Sequence, residues 1–466
     1  MITNRKNLAI LLLMLAAIRL VAADLSPGEI KRRDRNAKFD KQHLRLKHDF
    51  VTDSSPNFTT PPAKPAVAGN WTTARKAPTV HLRILPNLEP EYFPATAQYM
   101  ACWANWAPIL RGPDNTFYFA ASDHRGQGCQ INIYRYAHKE RQLSRIIDLH
   151  QLLDWQPDSY TDGKVHGAMA IMPDGHLLGA THYGVPPTAA WYEAGYQGSW
   201  LFSFDLTTNT GRNFGSPLKR SSLPCFTIDP QRGIFVGTGD SKTLLCWDYN
   251  TGQTLFAGYL PHGWIWWQRA MLLDQPSGKF WSSDVSETPF HLLSFNPSTL
   301  SFNRYDITVP TNPVTAKPGN LRGHTTRPAA NGYYYWATMS GALLRFKPDS
   351  PTGPILEAVG VTWDRGRDVL QIALSPDGRY LYYQPKGYPS PLVQFDTKTN
   401  QHKAICFLQD YYFEKYGYWL GREVYGLEIS EKGDFIAMIV NGAFDGHNRS
   451  FGHPGLCIVE IPRNER

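Results

Sequence analysis

Residues 369–396 read VLQIALSPDGRYLYYQPKGYPSPLVQFD. An apolar run, Val369–Leu374, meets the turn Pro376-Asp377-Gly378, and a second run rich in tyrosine follows at once. Leu392–Asp396 adds a third short segment that mixes apolar and polar residues. Asp-Gly supplies the positive φ that a tight hairpin needs, so the first two runs are predicted to be antiparallel strands.

The same hairpin recurs along the chain. Its turns fall at Pro113–Asn115, Pro173–Gly175, Pro230–Gly233, Gln275–Gly278, Ala330–Gly332 and Glu431–Gly433, which with Pro376–Gly378 makes seven. Third elements follow at Leu201–Asp205, Leu244–Asp248, Leu292–Asn296 and Leu343–Lys347, as at Leu392–Asp396. Copies lie roughly 45 to 60 residues apart, the period of a four-stranded blade with loops. The 38 Gly and 35 Pro agree, because many turns imply many short strands. The expected fold is all-β: a seven-bladed β-propeller of four-stranded antiparallel blades. A pair of β-sandwiches would also be rich in turns, but it does not predict one hairpin seven times.

The organisation around the repeats is read as three parts. Residues 1–23 form a signal peptide, with Arg5 and Lys6 ahead of the apolar stretch Leu8–Ala17 and small residues before Asp24. Residues 24–77 form a basic, then Pro/Thr-rich, N-terminal tail and linker. Residues 78–466 form the propeller, whose closing blade is expected to borrow a strand from Pro78–Ile84. The protein is therefore expected to be secreted, extracellular or periplasmic, without stable membrane insertion after cleavage, and monomeric.

The formal net charge of +7 invites a nucleic-acid reading, but its location argues against one. Three of those charges belong to the signal segment and a net three more to residues 24–50, which leaves about +1 for residues 51–466. Six cysteines, none in a CxxC pair, permit up to three disulfides. Cys225 and Cys246 fall in one blade, where a bridge and two buried thiols are equally compatible with the spacing. Sequons stand at Asn57, Asn70 and Asn448.

A blade's first strand lines the channel and turns back into its second. Residues just before the first strand and just after the second therefore converge on one mouth. Those positions hold Trp103 and His124 in blade 1, and Lys164, His166, His182 and Tyr183 in blade 2. Blade 4 adds Trp267 and Arg269, blade 5 Arg322, His324 and Arg327, blade 6 Arg367 and blade 7 Tyr425. Such a cationic, aromatic funnel suits an anionic ligand, and its rings suit the apolar faces of sugars. An acidic polysaccharide or oligosaccharide satisfies both demands, and no nucleic acid is implied.

β-Elimination in a uronate chain needs a cation on the carboxylate, a base near the working pH, and an acid for the leaving oxygen. Arg, His and Tyr match those roles. Hydrolysis usually needs two carboxylic acids, and no such pair stands out. The expected catalytic residues are His166, His182, Tyr183, Arg322 and His324. Trp103, His124, Lys164, Trp267, Arg269, Arg367 and Tyr425 are expected to bind substrate.

With a His before the first strand and a His after the second strand of one early blade, the chain resembles the secreted seven-bladed propeller polysaccharide lyases that act on ulvan and on rhamnosyl-glucuronate caps. The resemblance implies a carbon–oxygen lyase in which His166 and His182 are paired with Arg269 or Arg322 and with Tyr183 or Tyr425. The two histidines are 16 residues apart, a shorter hairpin than that family's. Two alternatives stay open. One is a metal-dependent propeller lyase in which His166, His182 and His324 bind a divalent metal ion; the other is a non-catalytic propeller that binds a glycan or a protein.

Overall fold

A computed structural model of the protein describes residue 46 and residues 49–62, 71–85, 104–124, 129–156, 159–240, 242–444 and 450–466. The signal segment, most of the basic tail, Trp103, Cys102 and the sequons at Asn70 and Asn448 lie outside the described residues.

Seven antiparallel sheets form a ring of blades. Blade 1 contains Leu110–Arg111, Thr116–Ala121, Asn132–Ala137 and Gln142–Asp148; blade 2 contains Ala170–Ile171, His176–Ala180, Leu201–Asp205 and Gly211–Gly215. Blade 3 contains Cys225–Asp229, Ile234–Thr238, Thr243–Asp248 and Gln253–Tyr259, and blade 4 Leu272–Asp274, Lys279–Asp284, His291–Asn296 and Ser301–Thr308. Blade 5 runs Leu321–His324, Tyr334–Thr338, Ala342–Lys347 and Ile355–Val361. Blade 6 runs Val369–Leu374, Tyr380–Pro385, Leu392–Asp396 and Gln401–Cys406. In each blade the strands are called A to D in that order, A being innermost. The seven expected turns join A to B, and Gly378, at φ 74°, closes the one quoted first.

Blade 7 closes the ring. Its strands Val424–Ile429, Phe435–Gly442 and His453–Glu460 are completed by Thr79–Ile84, which pairs antiparallel with the last of them and sets Leu82 opposite Cys457. The strand borrowed from the N-terminal side is thus the one read from the sequence.

Part of the expected linker also belongs to the sheets. Val51–Asp53 pairs with Thr79–Ile84, and Trp71–Thr73 pairs in parallel with Gln401–Cys406. Both are three-residue strands added at outer edges, where an existing strand already offers its unpaired backbone groups. The boundary drawn at residue 78 is corrected accordingly.

Large rings fill the contacts between blades. Trp281 of blade 4 and Trp336 of blade 5 both pack on Phe346, with ring centroids 5.1 and 5.2 Å apart. Cys225 sits on strand A and Cys246 on strand C of blade 3, each paired in register with strand B, and both are buried thiols rather than a bridge. Burial pushes each thiol up to about 12, the range of an inert core cysteine. No helix among the described residues is long and apolar enough to cross a membrane.

Candidate functional site

Backbone pairing extends the A–B hairpins beyond their strands at one end of the channel. Ala104 meets Ser122, Lys164 meets His182, Trp266 meets Asp284, and Trp419 meets Ala443. Each contact joins a residue before strand A to one at or just past the end of strand B, so these segments share one mouth.

Beneath that mouth lies a cavity of about 90 Å³, to which all seven blades contribute. Trp106 comes from blade 1, His166 from blade 2, Phe226 from blade 3, Arg269 from blade 4, Arg322 and His324 from blade 5, Gln371 from blade 6 and Tyr425 from blade 7. The A–B register shifts between Leu321 and His324, between Val369 and Ile372, and between Val424 and Gly426. A bulge breaks the strict alternation of a strand, and neighbours such as Leu370 and Gln371 both line the cavity.

His166 is held from two sides. Its Nδ1 lies 2.6 Å from the Pro224 carbonyl oxygen, which can only accept, so Nδ1 carries the hydrogen. Its Nε2 then accepts from Nη1 of Arg269, which is in contact with it. Burial first, and the Arg269 guanidinium second, hold this imidazole well below its ordinary value, so it is neutral near pH 7. The His182 ring stands against it with centroids 5.2 Å apart, and its Nδ1 contacts Ser222 Oγ. Burial and the nearby Lys164 keep His182 neutral too.

The cations differ in how they are compensated. Arg322 donates from Nε to Asp368 at 3.3 Å. Arg269, exposed to the channel, meets no carboxylate at ion-pair distance among the described residues. Its own value is lowered by the desolvation of a side chain that, though open to the channel, is ringed by the blades, and by the charge of Arg322. Lys164 is buried with its ammonium 5.2 Å from the Trp106 ring, and burial, aided by Arg269, brings it down to about 7. Trp106 in turn packs on His124 at 4.8 Å and on Tyr425 at 5.1 Å. Burial lowers His124 to about 3. Tyr425 donates its hydroxyl to Glu423 at 2.9 Å, and burial and that carboxylate raise its pKa, so it stays a phenol.

Other expected site residues serve elsewhere. Tyr183 points its hydroxyl at Asp240, 3.2 Å away, and is not part of the cavity wall. Trp267 packs on the core between blades 4 and 5. Arg367 is tied to Asp364 and to the Pro389 carbonyl. Arg327 donates to the carbonyls of Ser375 and Pro376, in the A–B turn of blade 6, and so belongs to the opposite face. It follows strand A rather than preceding it, which is why the placement on the mouth fails.

His324 lines the cavity, but its ring is anchored by the backbone of Thr325, at 3.1 Å from Nδ1, and of Met271. With His166 engaged by a carbonyl and a guanidinium, and His182 by a serine, the three imidazoles do not form a metal-binding set. Among the described residues no group of three His, Cys, Asp or Glu is placed to hold a metal ion.

The sequence reading missed Gln371, Asp368, Glu423 and the polar group behind His182 formed by Asp162, Ser199 and Ser222. Asp368 and Glu423 were within reach of it, because they precede strand A in blades 6 and 7 just as His166 does in blade 2. Both carboxylates are engaged by cations, Asp368 by Arg322 and Glu423 by Lys386 at 2.8 Å.

No family model and no curated protein matches the chain. Among solved structures it is similar to a chain in the crystal structure of the mitotic checkpoint complex, at 11% identity and a TM-score of 0.48, over 86% of this chain and 95% of that one.

Proposed function

We propose that the channel mouth binds a uronate unit of an acidic glycan and cleaves the neighbouring glycosidic bond by β-elimination, in a secreted protein exported on the segment Leu8–Ala17. One observation carries the reading: an uncompensated arginine, a second arginine, a neutral imidazole of fixed tautomer and a protonated phenol face one cavity.

Arg269 and Arg322 take the substrate carboxylate, whose neutralisation makes the adjacent carbon acidic. Once the carboxylate engages Arg269, the His166 Nε2 lone pair is released and removes the proton from C5. The C5–H electron pair becomes the C4–C5 double bond, the C4–O bond breaks, and Tyr425 protonates the departing oxygen. The proton held by His166 then returns to Tyr425 through water, which resets both groups. Hydrolysis is less well supported, since Asp368 and Glu423 are each engaged by a cation and neither lines the cavity.

The test is incubation with a panel of polyuronates, followed by ultraviolet absorbance and product mass. Elimination gives an absorbing, unsaturated end lighter by one water than the hydrolysis product. Absence of such a product on every acidic glycan, or its undiminished formation by His166→Ala, rejects the reading.

A further inference from the structure

Gln371 stands in strand A of blade 6, in the cavity wall, with only 8% of its surface exposed. The backbone N–H of Leu427, in strand A of blade 7, donates to its amide oxygen at 2.8 Å. A backbone N–H can only donate, so the atom facing it is Oε1 and the carboxamide has one orientation. The amino half is turned away from Leu427. Its Nε2 meets no hydrogen-bond acceptor among the described residues, yet it is open to the cavity.

Two donor hydrogens on a side chain buried by nine-tenths ordinarily find partners. A residue kept only to accept from Leu427 would need no amino group, because a carboxylate accepts as well. The neighbours in the ring say what these hydrogens meet. Arg322 lies in strand A of blade 5, on one side, and Tyr425 in strand A of blade 7, on the other. A Cβ at Gly323 would fall 2.8 Å from the Gln371 backbone nitrogen, so glycine after Arg322 lets these two inner strands close up. A carboxylate in the cavity goes to the guanidiniums, whose charge-assisted bonds are roughly twice as strong as those of a neutral amide. The amide is left an uncharged oxygen of the same ligand.

We propose that Gln371 is a specificity-determining residue, whose Nε2 hydrogens take a hydroxyl oxygen of the sugar unit held through its carboxylate by Arg269 and Arg322. The assignment rests on the acidic-glycan reading of the cavity and adds to it a demand for one hydroxyl. A unit without that hydroxyl leaves the amide unpaired in the wall, which is how a site built for a hydroxyl rejects the analogue lacking it.

The test compares an oligouronate with its forms lacking the C2 or the C3 hydroxyl of the uronate, by kcat/KM in full-length protein. In wild type one of the two deletions is expected to lower kcat/KM roughly tenfold. Gln371→Glu keeps the acceptor for Leu427 and removes the donor, and there the ratio is expected to fall to about one. The added charge weakens both substrates alike and cancels in the ratio. Gln371→Met repeats the comparison without a charge, and decides should Gln371→Glu not fold. No discrimination in wild type, or the same discrimination in a folded variant, overturns the proposal; with cleavage intact, elimination still stands. If no oligouronate is cleaved, elimination falls and the same ratios are read from binding, by tryptophan fluorescence. Absence of binding rejects both.

Discussion

Arg269 and His166, 103 residues apart in the chain, share a hydrogen bond in the wall of the channel, guanidinium Nη1 to imidazole Nε2. Each precedes strand A of its own blade, and only the ring brings them together. The contact leaves one charged group without a carboxylate and makes one neutral group the acceptor for it. An incoming carboxylate would replace a weak partner of the arginine with a strong one, and it would expose the basic nitrogen in the same step.

Tyr425→Phe removes the proposed acid and little volume. Turnover of a polyuronate is expected to fall by roughly 10²- to 10⁴-fold in kcat, with KM nearly unchanged. Steady-state kinetics on a defined oligouronate check this, and a loss confined to KM would assign Tyr425 to binding instead.

The mouth imidazoles are expected to stay neutral well below their ordinary value. His124, lowered to about 3, His166 and His182 should show no protonation between pH 5 and 8 in side-chain spectra. The unfolded chain protonates histidine near 6.5 and the folded one resists, so their contribution to stability is present above 6.5 and lost as pH falls. For His124 the slope is about 1.4 kcal/mol per pH unit down to its folded value. Asp162, pushed up to about 6 by burial, works the opposite way: its contribution is present below its unfolded value and lost as pH rises through 6. Urea unfolding as a function of pH measures the balance: six lowered histidines, with His138, His324 and His402 included, oppose four raised carboxyls, Asp162, Asp240, Asp368 and Glu428, and a net loss of stability in acid is expected.

Leu82, fully buried in the borrowed strand, tests the closure of the ring. Leu82→Ala is expected to cost about 2–5 kcal/mol in urea unfolding, the range for a large-to-small change in a packed core. A change below 0.5 kcal/mol, the scale of an ordinary surface substitution, would mean that the strand is a loose addition.

Each hairpin carries its own turn residues and apolar runs, so the blades could be read locally. Val51–Asp53 and Trp71–Thr73 could not, because a three-residue edge strand has no periodicity and gains its pairing from a sheet built hundreds of residues away. The same contrast governs the site. His166 and Arg269 were legible from their place just before strand A, and Arg322 and Tyr425 from theirs at its first residues, positions that the repeat defines. Arg327 was misplaced because it follows strand A, and Trp267 because counting from a turn does not tell which way a residue ahead of the strand faces. Asp162, Ser199 and Ser222 stand in polar, loop-like sequence, where buried polar side chains and a solvated loop have the same composition.

The most direct test is the affinity of the mouth for a carboxylate. Tryptophan fluorescence, with Trp106 in the cavity wall, would follow titration of an oligouronate and of a neutral oligosaccharide of equal length into wild-type and Arg269→Gln protein. The account predicts saturable binding of the oligouronate alone, weakened roughly tenfold or more by the substitution, as for loss of a charge-assisted hydrogen bond. Equal affinity for the two sugars, or an oligouronate affinity untouched by Arg269→Gln, would contradict it.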